Sequence, residues 1–160
     1  GERLKRELQR LIDENVMMGG EYQLPDALRN MTQAGARFEP GTVTHWMDCG
    51  NKVATVDTNQ RILDLTADKL TVPADAVVEN SIILPPCHIG SGARIVNSVV
   101  GPHVSIGEGT SIEDARVSNS LIQAHSVLKN KVVRNAMIGN HARVLGIPTD
   151  VSLGDYNEIS

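Results

Sequence analysis

The residues with the clearest chemical potential lie around one acidic turn. The segment Trp46-Met47-Asp48-Cys49-Gly50-Asn51 joins a short alternating segment to a stretch with a helical pattern. A carboxylate in such a turn could be an oxygen ligand of Mg²⁺, a hard cation that prefers oxygen. It could also cap the helix that we predict to begin near Lys52, since aspartate is a common N-cap. The residues of this turn alone favour the cap.

Histidines are the other candidates, and the chain has 5 of them. His103, His125 and His141 each follow a repeated aliphatic residue by three places. That position predicts side chains that point outward at corners. His125 and His141 lie one full turn of the repeating structure apart. A zinc site would need several convergent ligands, and this spacing singles out no such set. We therefore predict a solvated histidine ladder.

The elements that must position these side chains are dominated by one repeat. Between residues 72 and 144, aliphatic residues recur in steps of six or five, which is typical of a parallel β-helix. Every third member of this aliphatic series belongs to the same column, and the three columns are Val78, Ile95, Ile112, Leu128; Ile83, Val100, Val117, Val133; and Ile89, Ile106, Ile122, Ile138. Each column predicts aliphatic residues stacked from one coil to the next, with paired strands ~4.8 Å apart.

Small residues and turn formers support the same coil. Glycines follow the aliphatic residue at four places, where a tight corner tolerates little side chain: Gly90, Gly101, Gly107, Gly139. The five-residue steps contain Asn80, Asn97 and Asp114, residue types that accept turn conformations. The expected fold is mainly β, a three-sided parallel β-helix of hexapeptide repeats.

The section before the repeats reads as helical. We predict an amphipathic helix over residues 2–16, a second from Pro25 to Gly35 and a third over residues 52–65, with a short strand over residues 42–47. One strand makes no sheet. The section therefore resembles the last third of an α/β domain, and the opening at Gly1 without a methionine leads us to expect a fragment.

Composition excludes several partners. The net charge is −4 without a basic stripe, which argues against nucleic acid. No apolar run approaches the ~20 residues that span a bilayer. Cys49 and Cys87 lie in unlike contexts and suggest no disulfide, so a cytoplasmic location is expected. Cys87 occupies a small inward position and is expected to be inert.

Two motifs and the repeats together carry a family resemblance. Glu21-Tyr22-Gln23-Leu24-Pro25-Asp26, then Trp46-Met47-Asp48-Cys49-Gly50-Asn51, then hexapeptide repeats, is similar to the C-terminal half of bacterial sugar-1-phosphate nucleotidyltransferases. Within that family, the motifs resemble those of glucose-1-phosphate thymidylyltransferase-like enzymes. The resemblance implies a left-handed β-helix and extends into the tail around Asp155.

The resemblance implies an activity and roles for two residues. Such enzymes join a sugar 1-phosphate to a nucleoside triphosphate (here dTTP-like), releasing pyrophosphate in nucleotide-sugar biosynthesis. Asp48 matches a catalytic, Mg²⁺-binding carboxylate, and Glu21 matches an acidic residue near the sugar pocket. The family's Gly-rich nucleotide-binding loop has no counterpart here, so we expect the chain alone to be inactive.

Other interpretations stay open at this point. A hexapeptide-repeat acyltransferase or a carbonic anhydrase-like zinc protein would also contain such a coil. Outward Val99, Leu121 and Met137, which occupy equivalent places in their repeats, predict packing of the coil against copies of itself, as a homotrimer. The expected organisation is a nucleotidyltransferase remnant over residues 1–65, a β-helix over 66–147 and a tail over 148–160.

Overall fold

The computed structural model describes residues 1–148, 150, 152 and 155. These residues form three α-helices and one short 3-10 helix, at Ala67–Lys69, before a series of strands. The helices are α1 (Glu2–Asp13), α2 (Leu24–Gln33) and α3 (Lys52–Leu65). Contacts divide the chain into two compact units, Gly1–His45 and Trp46–Ser160.

The first unit consists of α1 packed on α2. Leu11 of α1 and Ala27 of α2 are almost fully buried, at 1% and 0% exposed. The Asn30 side chain donates a hydrogen bond to Glu7 across the two helices, over 2.9 Å. Proline stands in the first turn of α2, as predicted, because that position needs no N–H donor.

The predicted strand over residues 42–47 is wrong. No strand occurs in the described residues before Val77, and Val43 and Trp46 are 66% and 80% exposed. An alternating pattern becomes a strand only when a neighbouring strand pairs with its backbone, and this segment has none in the described structure. The three predicted helices are confirmed, and α3 matches its predicted bounds.

The second unit contains the predicted parallel β-helix, whose strands form three faces. Face 1 is β1 (Val77–Glu79), β4 (Arg94–Val96), β7 (Ser111–Glu113), β10 (Val127–Lys129) and β13 (Arg143–Leu145). Face 2 is β2 (Ile82–Ile83), β5 (Val99–Val100), β8 (Arg116–Ser118) and β11 (Val132–Arg134). Face 3 is β3 (Cys87–Ile89), β6 (Val104–Ile106), β9 (Ser120–Ile122) and β12 (Met137–Ile138).

The register of every face confirms the predicted columns. On face 1, Val78 pairs with Ile95, Ile95 with Ile112 and Ile112 with Leu128. The columns on faces 2 and 3 pair in the same way. The central residues of each column are 0–2% exposed, so the core is a thin stack of aliphatic side chains.

The corners explain the small and turn-forming residues. Asn80, Asn97 and Asp114 have φ of 44°, 49° and 49°, the left-handed region that Asn and Asp tolerate better than most residues. The Asn80 amide donates to Asn97 over 2.8 Å, and Asn97 donates to Asp114 over 3.2 Å. The corner is therefore held by a ladder of side-chain hydrogen bonds from coil to coil.

The outward apolar residues lie on two faces rather than one. Val99 lies on face 2, whereas Leu121 and Met137 lie on face 3 and pair with each other. Packing of the coil against copies of itself through these residues, as a homotrimer, stays a prediction.

Helix α3 lies against face 3, which it contacts at β6 and β9. The hydroxyl of Ser105 donates to Asn59 over 2.6 Å, and Nε2 of His103 lies 2.8 Å from Asp64 Oδ1. Packing thus joins α3 to the coil. The predicted division of the chain into domains that end near residues 65 and 147 stays a prediction. The predicted tail lies largely outside the described residues.

Candidate functional site

The acidic turn is fastened to the start of α3. The carboxylate of Asp48 accepts a hydrogen bond from the Gly50 amide over 2.9 Å. The hydroxyl of Thr58 donates to the Asp48 carbonyl over 2.7 Å, and that of Thr55 donates to the Cys49 carbonyl over 3.2 Å. The backbone around Asp48 is therefore held at fixed points on the first turns of the helix.

A different residue caps the helix. The side chain of Asn51 accepts from the Ala54 amide over 3.0 Å, and Asn51 has an extended backbone, as an N-cap requires. The interpretation of Asp48 as the helix cap is therefore wrong. Its carboxylate closes the preceding turn through Oδ1, and within the described part of the chain no donor contacts Oδ2.

The geometry at Asp48 fits one ligand of a hard cation. Asp48 is exposed and its Oδ2 has no described hydrogen-bond donor, as suits Mg²⁺, which takes one or two carboxylates and keeps several waters. No group of three possible ligands occurs among the residues that the structure describes. The metal-binding role of Asp48 therefore stays a prediction.

Glu21 lies in the first unit, at the end of a tight loop. Its backbone pairs with Met18 in both directions, over 3.0 and 3.2 Å, and its side chain is exposed. The next residue, Tyr22, donates to Asn15 over 2.9 Å and braces the same loop. The loop presents the Glu21 carboxylate to solvent. Its role near a sugar pocket stays a prediction.

The histidines occupy corners, as predicted. His103, His125 and His141 have φ of 59°, 55° and 56°, the left-handed region. The rings of His125 and His141 stack with centroids 5.2 Å apart, and Nε2 of His125 lies 3.9 Å from Glu108. His103 differs, because it pairs with Asp64 on α3. Nothing local in the sequence indicates this pair, whose members are 39 residues apart.

The two cysteines are free and lie in different environments. Cys87 is 7% exposed, and its thiol donates to the Leu84 carbonyl over 3.0 Å. Burial raises the pKa of the Cys87 thiol, because a thiolate loses hydration there. The expectation that Cys87 is inert packing agrees with this environment. Cys49 is exposed beside Asp48.

Comparisons with known proteins agree with this architecture. A family model described as GlmU-like, C-terminal hexapeptide, matches residues 63–114. The chain is also similar to a glucose-1-phosphate thymidylyltransferase of Streptomyces griseus, with 28% identity over 159 residues. That match covers 86% of this chain and 45% of the relative, so the chain spans less than half of the relative's length.

The resemblance found in the motifs is therefore supported by similarity over most of the chain. Since the match covers 86% of the chain, it includes parts of both the front section and the coil. Within the described residues, no helix has both the length and the apolar composition needed to cross a bilayer.

Proposed function

We propose that this chain is the C-terminal part of a sugar-1-phosphate nucleotidyltransferase, with Asp48 as one metal-binding carboxylate and Glu21 near the sugar. The substrates would be a dTTP-like nucleoside triphosphate and a sugar 1-phosphate, and the products a nucleotide sugar and pyrophosphate. The observation that carries the proposal is the single match across the acidic turn and the coil, to a relative whose other half has no counterpart here.

The structure supports a positioning role for the acidic turn. Hydrogen bonds to α3 hold the backbone at Asp48 and Cys49, and the Gly50 amide fixes one carboxylate oxygen of Asp48. The other oxygen is left for a cation or for solvent. Mg²⁺, when bound, would neutralise charge on the phosphates of the substrates.

The coil would serve assembly rather than chemistry. The described strands follow one another through short corners, and no long loop protrudes between residues 77 and 145 to form an acyl-donor site. The zinc alternative lacks a set of three ligands among the described residues of one chain. We therefore assign the coil an oligomerising role, as a trimer. The cytoplasm is the proposed location, since both cysteines are free.

The test uses the longer protein that the proposal requires. It should release pyrophosphate from dTTP and glucose 1-phosphate in the presence of Mg²⁺, and Asp48→Asn should lower kcat by about 100-fold or more, because a carboxylate on the metal is lost. Asp68→Asn, an exposed aspartate on the 3-10 helix, is the matched control and should leave kcat unchanged.

Two further measurements separate the parts of the proposal. The 160-residue chain alone should release no pyrophosphate, and release by this chain would show that its catalytic residues are complete. Glu21→Gln in the longer protein should raise KM for the sugar phosphate more than it lowers kcat. If Asp48→Asn had the same kcat as wild type, the assignment of Asp48 as a metal-binding carboxylate would be wrong.

A further inference from the structure

Helix α3 contacts both the coil and the acidic turn around Asp48. On α3, Val56 and Leu63 are 4% and 3% exposed, and the helix contacts β6 and β9 of face 3. A spacing of seven residues places both side chains on one face of the helix. Apolar contact is non-directional, so by itself it would let α3 slide or rotate on the coil. The position of the helix must therefore be fixed by directional contacts.

Two hydrogen bonds supply that direction. The hydroxyl of Ser105 donates to Asn59 over 2.6 Å, and Nε2 of His103 lies 2.8 Å from Asp64 Oδ1. The two α3 residues lie about 7.5 Å apart along the helix axis, so the bonds hold the helix at separate points. His103 and Ser105 flank the fully buried Val104, and alternation along the strand turns both outward. The bonds therefore fix both the height and the rotation of α3 on face 3.

The coil gives these bonds a rigid base. The His103 amide donates to the Pro86 carbonyl over 2.8 Å, and the His103 carbonyl accepts from Ser120 over 3.1 Å. These backbone partners belong to the coils before and after. The strand that contains Ser105, β6, pairs with β3 on one side and with β9 on the other. Side chains on such an element are held more precisely than side chains on a loop.

The contact at Asn59 is not optimised for stability. The side-chain nitrogen of Asn59 is buried and has no acceptor among the described residues. A buried donor without a partner is unfavourable, whereas an aliphatic residue packed on face 3 would avoid that penalty. The polar contact is therefore better explained by the position that it specifies than by the stability that it adds.

The same helix holds the acidic turn. Thr58, the residue before Asn59, donates from its hydroxyl to the Asp48 carbonyl over 2.7 Å. One peptide bond thus separates the contact with the coil from the contact with Asp48. Because the 14 residues of α3 move as a unit, a shift of the helix on face 3 shifts Asp48 by a similar distance. A displacement of about 1 Å can lower the rate of a catalysed step by about 100-fold.

We propose that His103 and Ser105 are positioning residues for the candidate site: through Asp64 and Asn59 they fix α3, and thereby the Asp48 carboxylate, at one place on the coil. The coil then has a second role besides assembly, because it sets the geometry of the acidic turn. Neither residue touches a substrate, and both act through α3. The catalytic part of this inference rests on the proposed function of Asp48.

The positional link is tested in the 160-residue chain by amide hydrogen exchange, measured by NMR. The Gly50 amide donates to Asp48 Oδ1, so its exchange rate reports the geometry of the turn. Ser105→Ala combined with His103→Asn should raise the Gly50 rate several-fold while the α3 amides stay protected, because the helix is formed but no longer fixed. Asparagine replaces His103 because it tolerates the left-handed corner.

His141→Asn is the matched control. His141 has the same corner conformation, with φ of 56° against 59° for His103, and its described ring contact is with His125 rather than α3. This variant should leave the Gly50 exchange rate at its wild-type value. An unchanged Gly50 rate in the double variant, or an equal rise in the control, would overturn the inference.

The catalytic consequence is tested in the longer protein. The double variant should lower kcat for pyrophosphate release by about tenfold or more and change KM for the sugar phosphate by less than about twofold, because the chemical step is misaligned while substrate contacts remain. Asp64→Ala should act in the same direction. Asp64→Asn should restore most of the rate, since an amide oxygen still accepts from the imidazole Nε2–H. A purely structural contact would lower Tm and leave kcat of the folded variants unchanged, which would contradict the proposal.

Failure of the positioning role is distinguishable from failure of the proposed function. The exchange experiment uses no substrate, so its outcome does not depend on the reaction. If the wild-type longer protein releases no pyrophosphate, the proposed function is wrong and the expected effect on kcat is lost with it. If wild type is active and the double variant has the same kcat, the function stands and the positioning role is wrong.

Discussion

Replacing Gly107 with alanine tests how closely the coils stack. A Cβ built on Gly107 would lie 2.4 Å from the Ala124 nitrogen and 2.6 Å from the Gln123 carbonyl carbon, both backbone atoms of the next coil. Ordinary contacts begin at 3.4 Å, so the coils must separate by about 1 Å. Backbone cannot move aside as the end of a flexible side chain can.

The cost follows from the hydrogen bonds at that place. The Gly107 amide donates to the Ile122 carbonyl over 2.8 Å, and a separation of this size weakens that bond and its neighbours. Overpacking together with a weakened buried hydrogen bond costs about 2–4 kcal/mol. For a chain of this length that loss lowers Tm by roughly 5–15 °C.

Calorimetry measures the thermal unfolding of each variant, and circular dichroism confirms that each variant folds. Gly139→Ala is the matched control, because Gly139 holds the same place in its repeat but a Cβ there has no described neighbour within 4 Å. Its free energy of unfolding should change by less than about 0.5 kcal/mol. Equal losses of Tm in the two variants would refute the argument that contact between coils selects glycine at Gly107.

Three further predictions concern the helices and the thiols. Asn51→Ala should cost about 1 kcal/mol, measured by denaturant unfolding, because α3 loses its N-cap; no loss would mean that the cap bond contributes nothing. Native protein treated with iodoacetamide should be modified at Cys49 and not at Cys87, by mass spectrometry, whereas denatured protein should be modified at both. The hydrogen bond from Arg10 lowers the pKa of Glu7 below its ordinary 4.5, so the ionised form is stabilised by folding. The stability difference between wild type and Glu7→Gln should therefore be largest above pH 4.5 and should shrink as pH falls below it; a difference that grows in acid would contradict this sign.

Much of the coil could be predicted from the sequence because its order is encoded by spacing along the chain. In a β-helix each coil packs on the one before it, so a residue and its partner are separated by one full coil along the chain. Ile95 therefore pairs with Ile112 in the register that a count of residues predicts. The left-handed corners at Asn97 and Asp114 follow from residue type at the same spacing.

The candidate site could be predicted only in part. The turn around Asp48 and the bounds of α3 follow from local pattern, since helix signals act within a few residues. That Asn51 caps the helix and Asp48 closes the turn depends on backbone angles that residue types alone do not decide, because both types can do either. The metal-binding role of Asp48 remains a proposal drawn from similarity.

The period of the coil, the residues that fill its interior and the helices in front of it could be predicted from residue order, because those features depend on neighbours along the chain. Three features emerged only in the folded molecule: residues 42–47 form no strand, α3 covers face 3 through Asp64 and His103, and Ile82 and Val132 on face 2 are left exposed. Those features depend on which distant surfaces meet, and pairing between residues 39 apart leaves no periodic trace in the sequence.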